Sequence, residues 1–254
     1  MNKISGIIIC FNEEKNIERC VLNLQKVCDE VIVLDSFSSD RTVEICKSLN
    51  VEFHQKKFVG YGEQKIAATK LANMDFILSL DADEILSEKL INEIISLKKN
   101  QLADVNYIPR LTNYCGVWVH HCGWYPDKKI RLWKKSCAEW TNQEIHETVQ
   151  IRSNQASVKS LHNNILHYSF ESAKDHYEKI NKYSDIQSKN LYERGIRVNK
   201  IRKYLSAALK FISIYLIKHG LLDGRTGYLI SKRSAYSQFI KYQKLEELVL
   251  AKTK

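Results

Sequence analysis

The chain has 254 residues, 44% hydrophobic and 27% charged, with 2 Pro and 9 Gly, a composition that excludes collagen-like, low-complexity and linker-dominated sequences. Its length is enough to bury a core without disulfide or metal staples, and a mean hydropathy of −0.35 excludes a polytopic membrane protein. The net charge of +10 is unevenly spread: residues 1–150 carry 19 Lys+Arg against 21 Asp+Glu, whereas residues 151–254 carry 20 against 8, so the basic half fits an anionic partner, either nucleic acid or a phospholipid surface.

The predicted elements alternate strand and helix through the first hundred residues. Residues 4–10 run into Asn12, Glu13 and Glu14 with no small-residue cleavage site, so they are expected to form a short buried strand in preference to a signal peptide. Residues 16–26 place Ile17, Val21 and Leu24 at helical spacing. A second strand, 31–34, ends at Asp35, and Ser38, Ser39 and Asp40 supply capping chemistry for a helix over 42–49. Strand 51–54, helix 63–72 after Gly60 and Gly62, strand 76–80 ending at Asp81, and helix 88–98 capped by Ser87 follow. This order predicts an α/β fold with a mostly parallel central sheet and helices on both faces. Ligands on such sheets bind beyond the carboxyl ends of the strands, where Asp35 and Asp81 lie. Shorter strands over 106–111, 117–120 and 130–133, with turns near Gly123 and Pro126, predict a small antiparallel addition at one edge. From Ser172 onward the pattern is helical and basic.

Seven cysteines with no CxxC fit a reducing compartment, with Cys10 and Cys46 read as buried thiols. His120, His121 and Cys122, with Cys115, lack the second pair that a zinc site of familiar spacing requires. Asp81-Ala82-Asp83, at the end of an apolar strand, is the sharpest local feature: two carboxylates on one side of an extended tip suit Mg²⁺ or Mn²⁺, which also takes substrate phosphates. Taken alone, the same residues also serve as a solvated acidic turn, and Asp35 with Ser39 and Asp40 as a helix cap.

Together Ile7-Ile8-Ile9-Cys10-Phe11-Asn12-Glu13-Glu14, Val31-Ile32-Val33-Leu34-Asp35-Ser36-Phe37-Ser38-Ser39-Asp40 and Leu80-Asp81-Ala82-Asp83-Glu84 resemble the motifs of the family-2 glycosyltransferases, which have the nucleotide-sugar-binding GT-A fold. Gly60-Tyr61-Gly62-Glu63-Gln64-Lys65, the run from Gly123 to Trp133, Ile145-His146-Glu147 and Gly220-Leu221-Leu222-Asp223-Gly224-Arg225 are similar, more narrowly, to the lipopolysaccharide-core β-glucosyltransferases. The resemblance implies a UDP-sugar donor, with Asp35 accepting the uracil imide N–H, Phe11, Asn12 and Glu13 in the same wall, and Lys65 near the diphosphate. It implies that Asp83 ligates the metal, that Asp81 holds ribose or a metal-bound water, and that His146 assists at the metal or the diphosphate. An inverting reaction then needs one carboxylate to take the acceptor proton: Glu147 by the resemblance, with Glu144 and Asp127 as alternatives. Trp124 and Tyr125 offer faces for an acceptor sugar, and Arg131 either contacts phosphate or pairs with Asp127; Trp133 is read as core.

These features divide the chain into a catalytic domain over 1–170 and a basic helical region over 171–254. Residues 204–217 are apolar except for Ser206, Lys210 and Ser213, and fourteen residues are too few to cross a ~30 Å hydrocarbon layer as a helix. With Arg202, Lys203, Lys218, Arg225, Lys232, Arg233, Lys241 and Lys244 around them, they read as an interfacial anchor on an anionic membrane surface. The expected acceptor is lipopolysaccharide core or another glycolipid, and the expected location is peripheral, on the cytoplasmic side of the inner membrane. No zinc-finger spacing, RNA-recognition or helix-turn-helix pattern accompanies the basic region, so nucleic acid is not the expected partner.

Overall fold

The computed structural model describes residues 1–99, 102–142 and 147–251. The chain divides into two compact units, Met1–Arg110 with Asp127–His167, and Leu111–Pro126 with Tyr168–Lys254.

In the first unit, β1 (Ile4–Cys10) lies between β2 (Glu30–Asp35) and β4 (Phe76–Asp81), with β3 (Glu52–Gln55) outside β2, and all four run parallel. Side chains alternate across β1: Ile4 and Ile8 pack with α1 (Ile17–Gln25) and α4 (Glu88–Leu97) on one face, and Ile7 packs with α3 (Tyr61–Leu71) on the other. Cover on both faces is why these strands read as nearly unbroken apolar runs. The fold expected from the strand and helix order is present.

The antiparallel addition is larger than the sequence announces. β6 (Val105–Tyr114), β7 (Val117–Val119) and β8 (Asp127–Lys134) correspond to predicted strands, with β8 antiparallel to both β4 and β6. β5 (Glu84–Leu86), β11 (Val158–Ser160) and β12 (Ile165–Phe170) join the same sheet, whose main order is β3-β2-β1-β4-β8-β6-β12-β5. β9 (Ala138–Trp140) and β10 (Val149–Ile151) form a separate antiparallel pair beside α3. Trp133 is fully buried, edge-on to Trp140 at 5.6 Å, in accord with its reading as core.

In the second unit, α5 (Ala173–Glu193) starts with a reciprocal capping box between Ser172 and Asp175. α6 (Lys200–Ile212) continues into a π-helical turn, Ser213–Ile217, and a 3-10 turn, Gly220–Asp223, leads into α7 (Gly224–Ala251). The sharp chain reversal needs two glycines: a Cβ on Gly227 would collide with the carbonyl oxygen of Gly220, and one on Gly220 would lie 2.8 Å from the Ile214 oxygen. Asp223 accepts the backbone N–H of His121 at 2.9 Å and of His120 at 3.3 Å, and its carboxylate also meets His121 Nδ1 at 2.8 Å. The Cys122 thiol donates to the same carboxylate, so these residues clasp the turn.

Three of the cations read as an anchor face, Arg233, Lys203 and Lys244, are engaged within this unit. Arg233 is buried, its guanidinium 5.0 Å from the Tyr177 ring and 5.6 Å from that of Tyr114. Lys203 pairs with Glu246 at 2.7 Å and Lys244 with Asp185 at 2.8 Å. Among the described residues no single helix is long and apolar enough to cross a membrane; Ile201–Ile217 and Gly220–Ala251 meet that test only jointly, bent by 73°.

Candidate active site

The parallel register fixes where the acidic strand ends meet. Cys10 lies opposite Asp35 on one side of β1, and Ile9 opposite Asp81 on the other. The carboxyl edge of three adjacent strands thus carries Asn12, Asp35 and Asp81.

Asp35 is fully buried and serves the loop that follows it. One oxygen accepts the Ser38 N–H at 2.9 Å and the Gln55 amide at 2.9 Å; the other accepts the Ser38 hydroxyl and, at 3.6 Å, the Cys10 thiol. Burial and the Asp35 carboxylate push the Cys10 thiol up, so it remains a donor. Asn12 and Phe37 adopt left-handed backbone conformations, and Asn12 ties the two loops together, its N–H donating to Ser38 Oγ at 2.8 Å and its Oδ1 accepting from the Ser39 N–H at 2.8 Å. The Glu13 N–H donates to Thr42 Oγ1 at 2.8 Å, and its carboxylate accepts from Asn16. Phe11 and Phe37 stand exposed beside this clasp. A donor from a bound base reaches Asp35 only by displacing one of its present partners.

Asp81 sits between two cations. Its oxygens meet Lys65 Nζ at 2.9 Å and Arg131 Nη2 at 2.8 Å. Burial alone would raise its pKa, but Arg131 and then Lys65 outweigh that and hold the carboxyl well below the usual carboxylate range. Arg131 is buried and shares Nη2 with Glu84 at 2.9 Å, so it pairs with Asp81 and Glu84 and not with Asp127. Its Nε and Nη1 have no hydrogen-bond partner among the described residues. Glu84, also fully buried, accepts Arg110 Nη1 at 2.9 Å and the Asp81 N–H at 3.0 Å.

Lys65 is the hub of the site. From α3 its buried ammonium reaches Asp81 and Glu147, the latter at 3.0 Å, and lies 4.7 Å from the centre of the Trp140 ring. Lys65 thus brings one proposed base, 82 residues further along the chain, to the acidic strand end. Asp127 is differently placed: Arg110 donates to one of its oxygens at 2.6 and 3.0 Å, and Lys129 lies 3.2 Å from the other. Burial opposes ionisation there, yet Arg110 prevails and the carboxyl is held low, which weakens it as a proton acceptor. Glu144 and His146 lie outside the described residues.

Asp83 points to a partner that sequence reasoning missed. His167, on β12, places Nε2 3.2 Å from Asp83 Oδ2. Its other ring nitrogen is buried without a hydrogen-bond partner among the described residues. β5 and β12 make this meeting, since His167 is registered opposite Glu84, one residue after Asp83. The available signal was the period-two alternation of Ile165, His167 and Ser169 against Leu166, Tyr168 and Phe170. One carboxylate and one imidazole facing each other fit a divalent cation that takes its remaining ligands from phosphate oxygens and water. No cluster of three His, Cys, Asp or Glu side chains suited to a metal occurs among the described residues.

Trp124 and Tyr125 belong to the second unit. Trp124 stacks on Phe170 at 5.8 Å and lies edge-on to Tyr114 at 5.9 Å, while Tyr125 is edge-on to His120 at 5.6 Å. The surroundings of Trp124 are those of a packed aromatic cluster.

The family model for Glycosyl transferase family 2 matches residues 5–197. An uncharacterized glycosyltransferase of Rickettsia typhi is 33% identical over 98% of this chain and 89% of its own length. A lipopolysaccharide core biosynthesis glycosyltransferase of Rhizobium meliloti is 24% identical over 95% of this chain and 91% of its own. Among solved structures, S. aureus TarS in complex with UDP-GlcNAc is 16% identical with a TM-score of 0.48, covering 98% of this chain and 92% of that one.

Proposed function

The chain belongs to glycosyl transferase family 2, and on that premise we propose that it moves glucose from UDP-glucose onto the inner-core heptose of lipopolysaccharide, with inversion, at the cytoplasmic face of the inner membrane. The observation that carries the catalytic part is the meeting of Asp81 and Glu147 at Lys65, beside the Asp83–His167 pair. The acceptor is supported by the likeness along nearly the whole chain to the Rhizobium meliloti lipopolysaccharide core enzyme.

Each side chain then has a task. The loop braced by Asp35, with Phe11, Asn12 and Glu13, receives the uracil ring, and Asp35 exchanges one of its loop donors for the imide N–H. Lys65 and Arg131 hold Asp81 ionised and fixed, ready for a ribose hydroxyl or a water. Asp83 and His167 would hold Mg²⁺ or Mn²⁺, which would offset the charge of the departing diphosphate. Glu147 accepts the proton of the acceptor hydroxyl as its oxygen attacks the anomeric carbon and the bond to the diphosphate breaks on the opposite side. Lys65 positions Glu147 by their ion pair and also answers the negative charge of the diphosphate.

Mass-spectrometric comparison of lipopolysaccharide core from cells with and without the gene tests the product, and hydrolysis of UDP-glucose, UDP-galactose and UDP-GlcNAc with and without Mn²⁺ tests the donor. A core lacking one hexose supports the reading. An unchanged core moves the acceptor to another glycolipid or to a protein side chain.

A further inference from the structure

The outward face of α6 carries an exposed apolar stripe. Ile201, Leu205, Leu209, Ile212 and Leu216 recur at the spacing of one helical stripe, and all are exposed, Ile201 by 75% and Leu209 by 56%. Ile217, 70% exposed, and Leu222, 62% exposed, continue the surface past the π-helical turn. The inward side packs Phe211 against Tyr228 of α7 and carries the buried Lys203, paired with Glu246, and Ser206, whose hydroxyl returns to the Lys203 carbonyl. A helix packed in water buries its apolar stripe and exposes its charges. A stripe left open over about four turns calls for a second apolar medium outside the helix.

Charge identifies the medium. Between residues 201 and 245 Asp223 is the only acidic residue, and its carboxylate is occupied by His120 and His121. Arg202, Lys210, Lys218 and Arg225 are all exposed on this stretch. A second copy seated face to face would bring these cations against their own counterparts. We infer that α6 and the turns after it lie in the interface of an anionic bilayer, with Leu205, Leu209, Ile212 and Leu216 inserted and the flanking cations reaching the headgroups. This rests on the lipid-linked acceptor proposed above and names the element that meets the lipid. α7 is the scaffold behind it, not the anchor: Lys203–Glu246, Lys244–Asp185 and the stacked Arg233 hold it within its own unit. Passage of the bent helix pair through the bilayer would break those pairs and carry Lys203 and Lys210 into hydrocarbon.

The full chain is sedimented with phosphatidylcholine vesicles, with and without phosphatidylglycerol, at low and high salt. The expected result is binding to anionic vesicles that salt weakens without abolishing. Leu205→Ser/Leu209→Ser/Leu216→Ser should bind less well by about tenfold or more, with an unchanged circular-dichroism melt; Leu209→Ser alone, at an exposed position, serves if the triple variant does not fold. Arg202→Gln/Lys210→Gln/Arg225→Gln should lose the preference for anionic lipid, while Lys244→Gln should keep it. Wild-type protein that sediments with neither vesicle, or a leucine variant that binds like wild type, overturns the inference. So does a lipid-free dimer that the leucine variant converts to monomer, because the face then belongs to a second copy. UDP-glucose hydrolysis in solution should be the same in all these variants; its absence in a protein that binds vesicles normally would count against the transferase reading alone.

Discussion

Asp83 and His167, separated by 84 residues, face each other across 3.2 Å because β5 and β12 run antiparallel at the edge of the sheet. The pair gives the acidic tip a nitrogen donor that the Asp81-Ala82-Asp83 motif does not contain, and it separates the two aspartates by task. Asp81 is held by Lys65 and Arg131, while Asp83 faces an imidazole.

Replacing either partner therefore distinguishes metal holding from folding. Asp83→Ala should abolish metal-dependent turnover. His167→Ala should weaken Mn²⁺ binding, measured by calorimetry in the presence of UDP, by about tenfold or more. Neither change should lower the melting temperature much, since both side chains are partly exposed. Wild-type Mn²⁺ affinity in His167→Ala would remove the histidine from the metal site.

Glu147→Gln should retain UDP-glucose affinity and lose turnover by ~10²-fold or more, because the amide keeps the shape but accepts no proton. Asp127→Asn should have a small effect on turnover, since Arg110 and Lys129 already occupy that carboxylate. Full activity in Glu147→Gln with a dead Glu144→Gln would transfer the role to Glu144.

The parallel half of the fold was legible because burial on both faces leaves its mark in sequence. β1, β2 and β4 are apolar runs that end in polar residues, and a parallel sheet brings those ends together. The rest depends on contacts that local pattern does not encode. β5, β9, β10 and β11 are only three residues long. His167 acquires its meaning from β5, and Lys65 from Asp81 and Glu147 together. The C-terminal cations looked alike as letters; only packing separates Arg233 and Lys244, which face inward partners, from Arg202 and Lys210, which do not.

The Gly220-to-Arg225 motif has a mechanical reading that stability measurements can check. Asp223→Ala leaves the His120 and His121 amides and the His121 ring without their acceptor, and should cost about 2–3 kcal/mol in urea unfolding. Gly227→Ala drives a methyl into the Gly220 carbonyl and should be at least as damaging. Asp223→Asn should recover part of the loss, because its amide oxygen still accepts one N–H. Wild-type stability in both Asp223→Ala and Gly227→Ala would mean that the turn does not hold α7 in place.

His176 builds a pH dependence into the second unit. It is buried, and its Nδ1 lies 2.8 Å from the Tyr114 hydroxyl. Burial, helped by the nearby Lys179 charge, lowers its pKa from 6.5 to about 4. The native chain therefore keeps the imidazole neutral, while the unfolded chain takes up a proton below pH 6.5. Stability is lost as pH falls through the window between those values, by about 2 kcal/mol at pH 5 relative to pH 7. Carboxylates held low in the native state, such as Asp29 and Asp127, act in the same direction but only at more acidic pH. His176→Phe should shift stability by an offset that does not vary with pH, from the lost Tyr114 bond, and should remove this slope between pH 7 and pH 5. Urea titrations of both proteins at the two pH values decide it: equal slopes in wild type and variant would show that His176 titrates normally and that the slope belongs to other groups.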